Sequence, residues 1–246
     1  MPTATRSRRG SVRIKEPHRV VHPLKDAQVL AINDITDNEA LAYLLRHDTV
    51  MGPFSGNLRL EDDHFITDKS RVKLLCERSP ADLPWGELGV DVVVESTGVF
   101  RAREQLEQHL AAGASRVVLT VPSKDPVDYT VVLGVNDEGL APEHRIISNA
   151  SCTTNCLAPA AKVVHDGWGI KRGLMNTIHS YTNDQKVLDV LHKDPRRARA
   201  AGLNIIPTTT GAAKALALAI PDLAGKFDGF SLRVPTPTVS VVDFTA

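Results

Sequence analysis

Between residues 28 and 148 the chain alternates short β-branched runs with helical stretches, and this rhythm leaves it few folds to choose from. Runs at 28–33, 91–95, 116–121, 130–135 and 145–148 are too short for buried helices, are rich in Val and Ile, and read as buried strands. The intervening segments 38–46 and 103–112 space their apolar residues helically, and the second ends on Gly113, a residue suited to the left-handed turn that closes a helix. Strands joined by crossover helices form a mostly parallel sheet, so an α/β fold is predicted. After residue 151 the strands become longer and more widely separated, at 173–180, 229–234 and 239–244, around an irregular basic stretch from 182 to 204. One domain is therefore expected over 1–151 and another over 152–246. There is no internal repeat and no low-complexity segment.

Twenty-nine basic residues balance 29 acidic ones, so no net field draws the chain to nucleic acid or to an anionic membrane, and neither is expected as a partner. A small-molecule substrate fits better. No apolar run approaches the roughly 18 residues of a membrane span, and the basic opening at 6–9 leads into no signal-peptide stretch, which makes a cytoplasmic protein the default expectation. The three cysteines, Cys76, Cys152 and Cys156, are an odd number in a chain large enough to fold without disulfides, so reduced thiols are expected. Cys152 and Cys156 are a helical turn apart and lack companions at metal-ligand spacing, so no metal is predicted.

The segment Ser148-Asn149-Ala150-Ser151-Cys152-Thr153-Thr154-Asn155-Cys156 places small polar residues, good helix caps, ahead of the apolar run 157–164. A cysteine there sits at a helix N-terminus, where unpaired amides and the helix dipole favour the thiolate. Taken singly, each feature also has a plainer reading. Cys152 fits a small buried apolar residue, His179 a satisfied strand-end histidine and Arg197 a solvated charge. Thr208-Thr209-Thr210-Gly211 fits an ordinary helix cap and Asp34 a turn aspartate.

Taken together, Ala-Ser-Cys-Thr-Thr-Asn-Cys at 150–156 and Thr-Ile-His-Ser-Tyr-Thr-Asn-Asp-Gln at 177–185 closely resemble the phosphorylating glyceraldehyde-3-phosphate dehydrogenases. Arg-Arg-Ala-Arg-Ala-Ala at 196–201, Ile-Pro-Thr-Thr-Thr-Gly-Ala-Ala-Lys at 206–214 and Arg-Val-Pro-Thr-Pro-Thr at 233–238 follow in the family's order. The resemblance covers about residues 29–246 and implies a Rossmann-like NAD-binding domain followed by an α+β catalytic domain. It implies that Cys152 attacks the aldehyde of glyceraldehyde 3-phosphate, that His179 is its acid/base partner, and that inorganic phosphate cleaves the resulting thioester to an acyl phosphate. Cys156, one turn further into the helix, is read as structural. By the same resemblance Thr182, Arg197 and Arg233 hold the substrate phosphate, and Ser151, Thr153, Thr210 and Gly211 serve the attacking phosphate. The 208–214 run favours a three-carbon over a four-carbon substrate, and the basic stretch 185–201 resembles a subunit-interface loop of a homotetramer.

On the cofactor side, Asp34 follows an apolar run, at the place where dinucleotide-binding folds put an acid that hydrogen-bonds the adenosine ribose, which favours NAD over NADP. Arg78, Thr97 within Val94-Glu95-Ser96-Thr97-Gly98, and Thr120 match the family's cofactor-side segments. Upstream the chain departs from the pattern. Where the family has an apolar first strand and a G-x-G-x-x-G turn, this chain has Gly10-Ser11-Val12-Arg13-Ile14-Lys15, with Val12 and Lys15 at two of the glycine positions. The family's chains also run on well beyond Thr245. The first strand and Gly-rich turn are thus expected to be degenerate and the catalytic domain incomplete, with an inactive remnant of the same family as the alternative. A cysteine hydrolase needing no nicotinamide is a third reading of the Cys/His pair alone.

Overall fold

The computed structural model describes residues 27–246 and the backbone of residues 11 and 12. In chain order the elements are β1 (Ser11–Val12), β2 (Ala31–Asn33), α1 (Asn38–Arg46), β3 (His47–Asp48), β4 (Gly52–Pro53), β5 (Leu58–Glu61), β6 (His64–Thr67), β7 (Arg71–Leu75), β8 (Val92–Glu95), α2 (Arg103–Ala111), β9 (Arg116–Leu119), β10 (Tyr129–Thr130), β11 (Ile146–Ser148), α3 (Cys152–Trp168), β12 (Gly173–Ser180), β13 (Ile206–Thr209), α4 (Ala212–Ala219), β14 (Phe227–Val234) and β15 (Ser240–Thr245). The chain divides into two compact units, the first containing 1–129 and 141–149, the second 130–140 and 150–246. The division therefore differs from a single cut near residue 151, because 130–140 joins the second unit.

In the first unit β1, β8, β9 and β11 run parallel in that order, with β10 at the edge. A second sheet of order β2-β7-β6-β5 joins a parallel β2–β7 pair to an antiparallel hairpin. The α/β class and the parallel sheet read from the sequence are observed. The runs Val92–Glu95 and Arg116–Leu119 are strands because their β-branched side chains pack on both faces, Val93, Val117 and Leu119 being buried with Trp85 and Leu106. Helix α1 occupies its predicted span, capped by Asp37, whose carboxylate accepts the Ala40 N–H. Helix α2 starts where Gln105 Oε1 reaches back to accept the Ala102 N–H at 3.0 Å, and stops before Gly113, whose φ is +109°.

One expectation fails here, and one hairpin was not predicted. The segment 130–135 is not a buried strand: β10 ends at Thr130, and a turn follows. Asn136 and Asp137 fold that turn, their side-chain oxygens accepting the Val132 and Gly134 N–H groups at 2.8 and 2.6 Å, which outcompetes a ladder. The hairpin β5–β6 went unread, although Leu58 and Leu60 alternate and Asp62, at φ +51°, turns the chain. As for the opening segment, Ser11 and Val12 pair in parallel with Val93 and Val94. Residues 1–10 and 13–26, including the basic run 6–9, Gly10 and Lys15, lie outside the described residues.

The second unit is a four-stranded sheet of order β13-β14-β12-β15, with β12 and β14 parallel and both outer strands antiparallel to their neighbours. The predicted span 173–180 is observed, while the other two strands are shifted slightly, to Phe227–Val234 and Ser240–Thr245. Helices α3 and α4 share a core with the sheet, Leu157, Ala158, Ala161, Leu216 and Met175 being almost wholly buried. The 182–204 segment is irregular apart from one 3₁₀ turn at Pro195–Ala198. Among the described residues no helix is long and apolar enough to cross a membrane.

Candidate active site

Register places the first pair of groups. In the ladder of β12 and β14, His179 stands opposite Arg233, and α3 of the same unit opens with Cys152. Ser151 is the N-cap of α3: its Oγ accepts the Thr154 N–H at 3.1 Å and lies 2.7 Å from the Thr154 hydroxyl. The preceding Ala150 is buried and held at φ +55°, a left-handed conformation unusual for a residue with a β-carbon. Cys152 is thus the first residue of the helix, where the amides have no intrahelical acceptors.

Cys152 Sγ lies 3.3 Å from His179 Nε2. The thiol is held below its ordinary range, first by this hydrogen bond, opposed by burial, and further by the Thr153 hydroxyl and N–H. Cys152 is exposed, so the plainer reading of a small buried apolar residue fails. Cys156 lies within α3 as expected but is also exposed, so packing gives no support to a structural role for it. Thr153 is buried.

His179 Nδ1 faces two partners, the Ser180 carbonyl at 2.7 Å and Arg233 Nη1 at 2.6 Å. One nitrogen cannot donate to the carbonyl and accept from the guanidinium together. The carbonyl belongs to the adjacent strand residue and is fixed, whereas Arg233 has its own bond to Ser180 O at 3.1 Å and a flexible stem. The Nδ1–H to Ser180 bond is therefore the one to keep, and Arg233 is the group free to move.

Arg233 is pushed below the usual arginine range by burial and then by Arg197, while Cys152 and Asp184 pull it back. Arg233 thus lies beside the imidazole that meets the sulfur and within repelling reach of Arg197, an arrangement that favours an anion between the two guanidinium groups. Arg197 is held by Thr208, which accepts its Nε–H at 2.6 Å, and by Asp184, 2.9 Å from Nη1. Asp184 also meets His192 at 3.3 Å and accepts from Gln185, whose Oε1 in turn accepts the Thr182 N–H. Thr208, Asp184 and Gln185 were missed as site residues, although each stands inside a motif singled out from the sequence. Thr210 lies at the start of α4, its hydroxyl accepting the Ala212 N–H at 3.2 Å, and Gly211 is the N-cap.

The cofactor-side residues belong to the first unit, each just past the carboxyl end of a parallel strand: Asp34 after β2, Arg78 after β7, Thr97 after β8 and Thr120 after β9. In open α/β sheets that edge is where ligands bind. Asp34 Oδ1 accepts the Thr36 N–H at 2.9 Å. Arg78 is exposed, and Thr120 donates to the Glu95 carbonyl through both its N–H and its hydroxyl. A carboxylate, a guanidinium and hydroxyls are groups that fit a dinucleotide. No group of three or more metal-ligating side chains occurs among the described residues.

Residues 15–103 match the NAD-binding domain of glyceraldehyde 3-phosphate dehydrogenase and residues 151–246 match its C-terminal domain. The glyceraldehyde-3-phosphate dehydrogenase of Mycobacterium leprae is 55% identical over 227 residues, covering 92% of this chain and 67% of that protein. This chain belongs to the glyceraldehyde-3-phosphate dehydrogenase family. The relatives from Geobacillus stearothermophilus and Streptomyces coelicolor are 54% and 53% identical, over 90% and 89% of this chain. The chain spans 66% and 65% of their lengths, about two thirds.

Proposed function

We propose that this chain oxidises glyceraldehyde 3-phosphate with NAD and inorganic phosphate, giving 1,3-bisphosphoglycerate. The observation that carries the reading is a sulfur at a helix N-terminus, 3.3 Å from an imidazole nitrogen whose ring also meets the Arg233 guanidinium. Cys152 adds as thiolate to the aldehyde carbon, and His179 Nε2 donates its proton to the developing oxyanion. The same imidazole then removes that proton as the hemithioacetal collapses to a thioester. Bound NAD supplies the hydride acceptor. Phosphate attacks the thioester carbonyl, and the thiolate leaves, again stabilised by His179 and the Thr153 donors.

Arg233, Arg197 and Thr182 hold the substrate phosphate, while Ser151, Thr153, Thr210 and Gly211 serve the attacking one. Asp34, Arg78, Thr97 and Thr120 hold the cofactor. The first unit is the NAD-binding domain and the second the catalytic one. We place the protein in the cytoplasm as a homotetramer: Val187, Leu188, Leu191 and Leu203 are largely exposed in the 182–204 segment and call for a covering surface.

The test is NADH formation by the purified chain, followed by absorbance. It should require both phosphate and aldehyde and vanish in Cys152→Ser. Alkylation of Cys152 without any NADH would instead mark an inactive remnant.

A further inference from the structure

The first unit contains a buried hydrogen-bonded chain that the reaction does not use. Trp85, Glu95 and His109 are each at most 2% exposed. The Trp85 indole N–H can only donate, and it points at His109 Nδ1 from 3.1 Å. That nitrogen must therefore carry a lone pair, which puts the imidazole proton on Nε2. There it faces Glu95 Oε2 at 3.3 Å and donates to it. The other carboxylate oxygen, Oε1, accepts the Thr97 N–H at 2.7 Å and the Thr97 hydroxyl, whose oxygen accepts the Val99 N–H at 3.0 Å.

The direction of every bond is thus fixed, from Trp85 through His109 and Glu95 to the 97–99 turn. Among the described residues this buried carboxylate meets a neutral imidazole and hydroxyl and amide donors, a costly choice for packing alone. Its benefit is local: two donors from Thr97 share one oxygen, so the turn cannot shift without losing both. That turn follows the carboxyl end of β8, on the edge assigned above to the cofactor.

We propose that His109 is a positioning residue that acts through Glu95 to hold the Thr97–Val99 turn in the shape that receives the dinucleotide. The proposal rests on the NAD-binding reading for its ligand, but the shape of the turn is measurable without one.

The test compares His109→Gln, which offers an acceptor and a donor, with His109→Leu, which offers neither. Hydrogen exchange at the Thr97 and Val99 amides, read without cofactor, should stay near wild type in H109Q. In H109L it should quicken by about tenfold, the loss of a buried charge-assisted bond. NAD dissociation constants should follow the same order, while Cys152 alkylation stays unchanged in both. Trp85→Phe, which keeps an aromatic ring in the core and removes the indole N–H, should quicken exchange in the same direction by a smaller factor, and it decides the matter if H109L does not fold. Unaltered exchange at Thr97 and Val99 in H109L, or in W85F where H109L is unfolded, overturns the proposal. If wild type binds no NAD, the functional reading fails, and exchange still decides whether His109 sets the turn.

Discussion

Replacing His179 with asparagine removes the imidazole beside Cys152 and leaves the cap at Ser151 and the Thr153 donors in place. The hydrogen bond from His179 is the largest cause of the depressed thiol pKa, so the variant should move back toward an ordinary thiol. An unperturbed cysteine, with a pKa of about 8.5, is only about 3% thiolate at pH 7. If wild type is mostly thiolate there, the variant can lose at most about 30-fold in alkylation rate. A more basic thiolate is also the better nucleophile, which returns part of the loss, so a fall between about threefold and 30-fold is expected. The sign follows from the depression: wild type should keep reacting as pH falls past the point where the variant has lost its thiolate, and in alkali, with both ionised, the variant should overtake it. Iodoacetamide labelling against pH, read by fragment mass spectrometry that separates Cys152 from the exposed Cys76 and Cys156, measures both inflections. Coincident profiles would show that the contact does not set the thiolate, and the mechanism would lose its nucleophile.

Asp128 accepts N–H bonds from Arg145 and Ile146 and pairs with Arg103 at 2.8 Å. Burial opposes its ionisation, yet these bonds keep its pKa below the usual carboxylate value. Its contribution is therefore full above the unfolded pKa of about 4 and is lost as pH falls through the lower folded value. Asp128→Asn should lower stability by about 1–2 kcal/mol near neutrality in urea titrations and flatten the acid limb of the pH–stability curve. Gly113 has φ +109°, and an added β-carbon would lie 2.5 Å from the Gly86 backbone. Gly113→Ala should cost at least about 2 kcal/mol and lower the first thermal transition measured by calorimetry, whereas an unchanged transition would mean that the turn relaxes freely.

Local patterns carried much of the fold. Helix α1 and strand β12 are legible because their periodicities, caps and flanking turns agree with their packing. The 130–135 run misleads for a physical reason: it is apolar enough for a strand, but Asn136 and Asp137 offer its amides side-chain acceptors, a choice that hydrophobic period does not encode. At the site, Cys152 and His179 are legible from their motifs. The partners that hold Arg197 stand 13 residues before it, at Asp184, and 11 after, at Thr208, so only the folded chain shows which hydroxyl and which carboxylate do the holding. Likewise nothing in the spacing of Trp85, Glu95 and His109 announces that they form one chain of bonds.

The residue most constrained by this architecture has no reactive atom. Ala150 turns left-handed just ahead of the nucleophile's helix, with its methyl group enclosed in apolar packing. Glycine would adopt the same angles without strain but would leave a void the size of that methyl group, and anything larger or branched would be refused by both the angles and the walls. The aim of the sulfur is therefore set by a hinge with almost no latitude in either direction. Drift at this position should show first as a misdirected thiolate, in a protein still folded by every bulk measure.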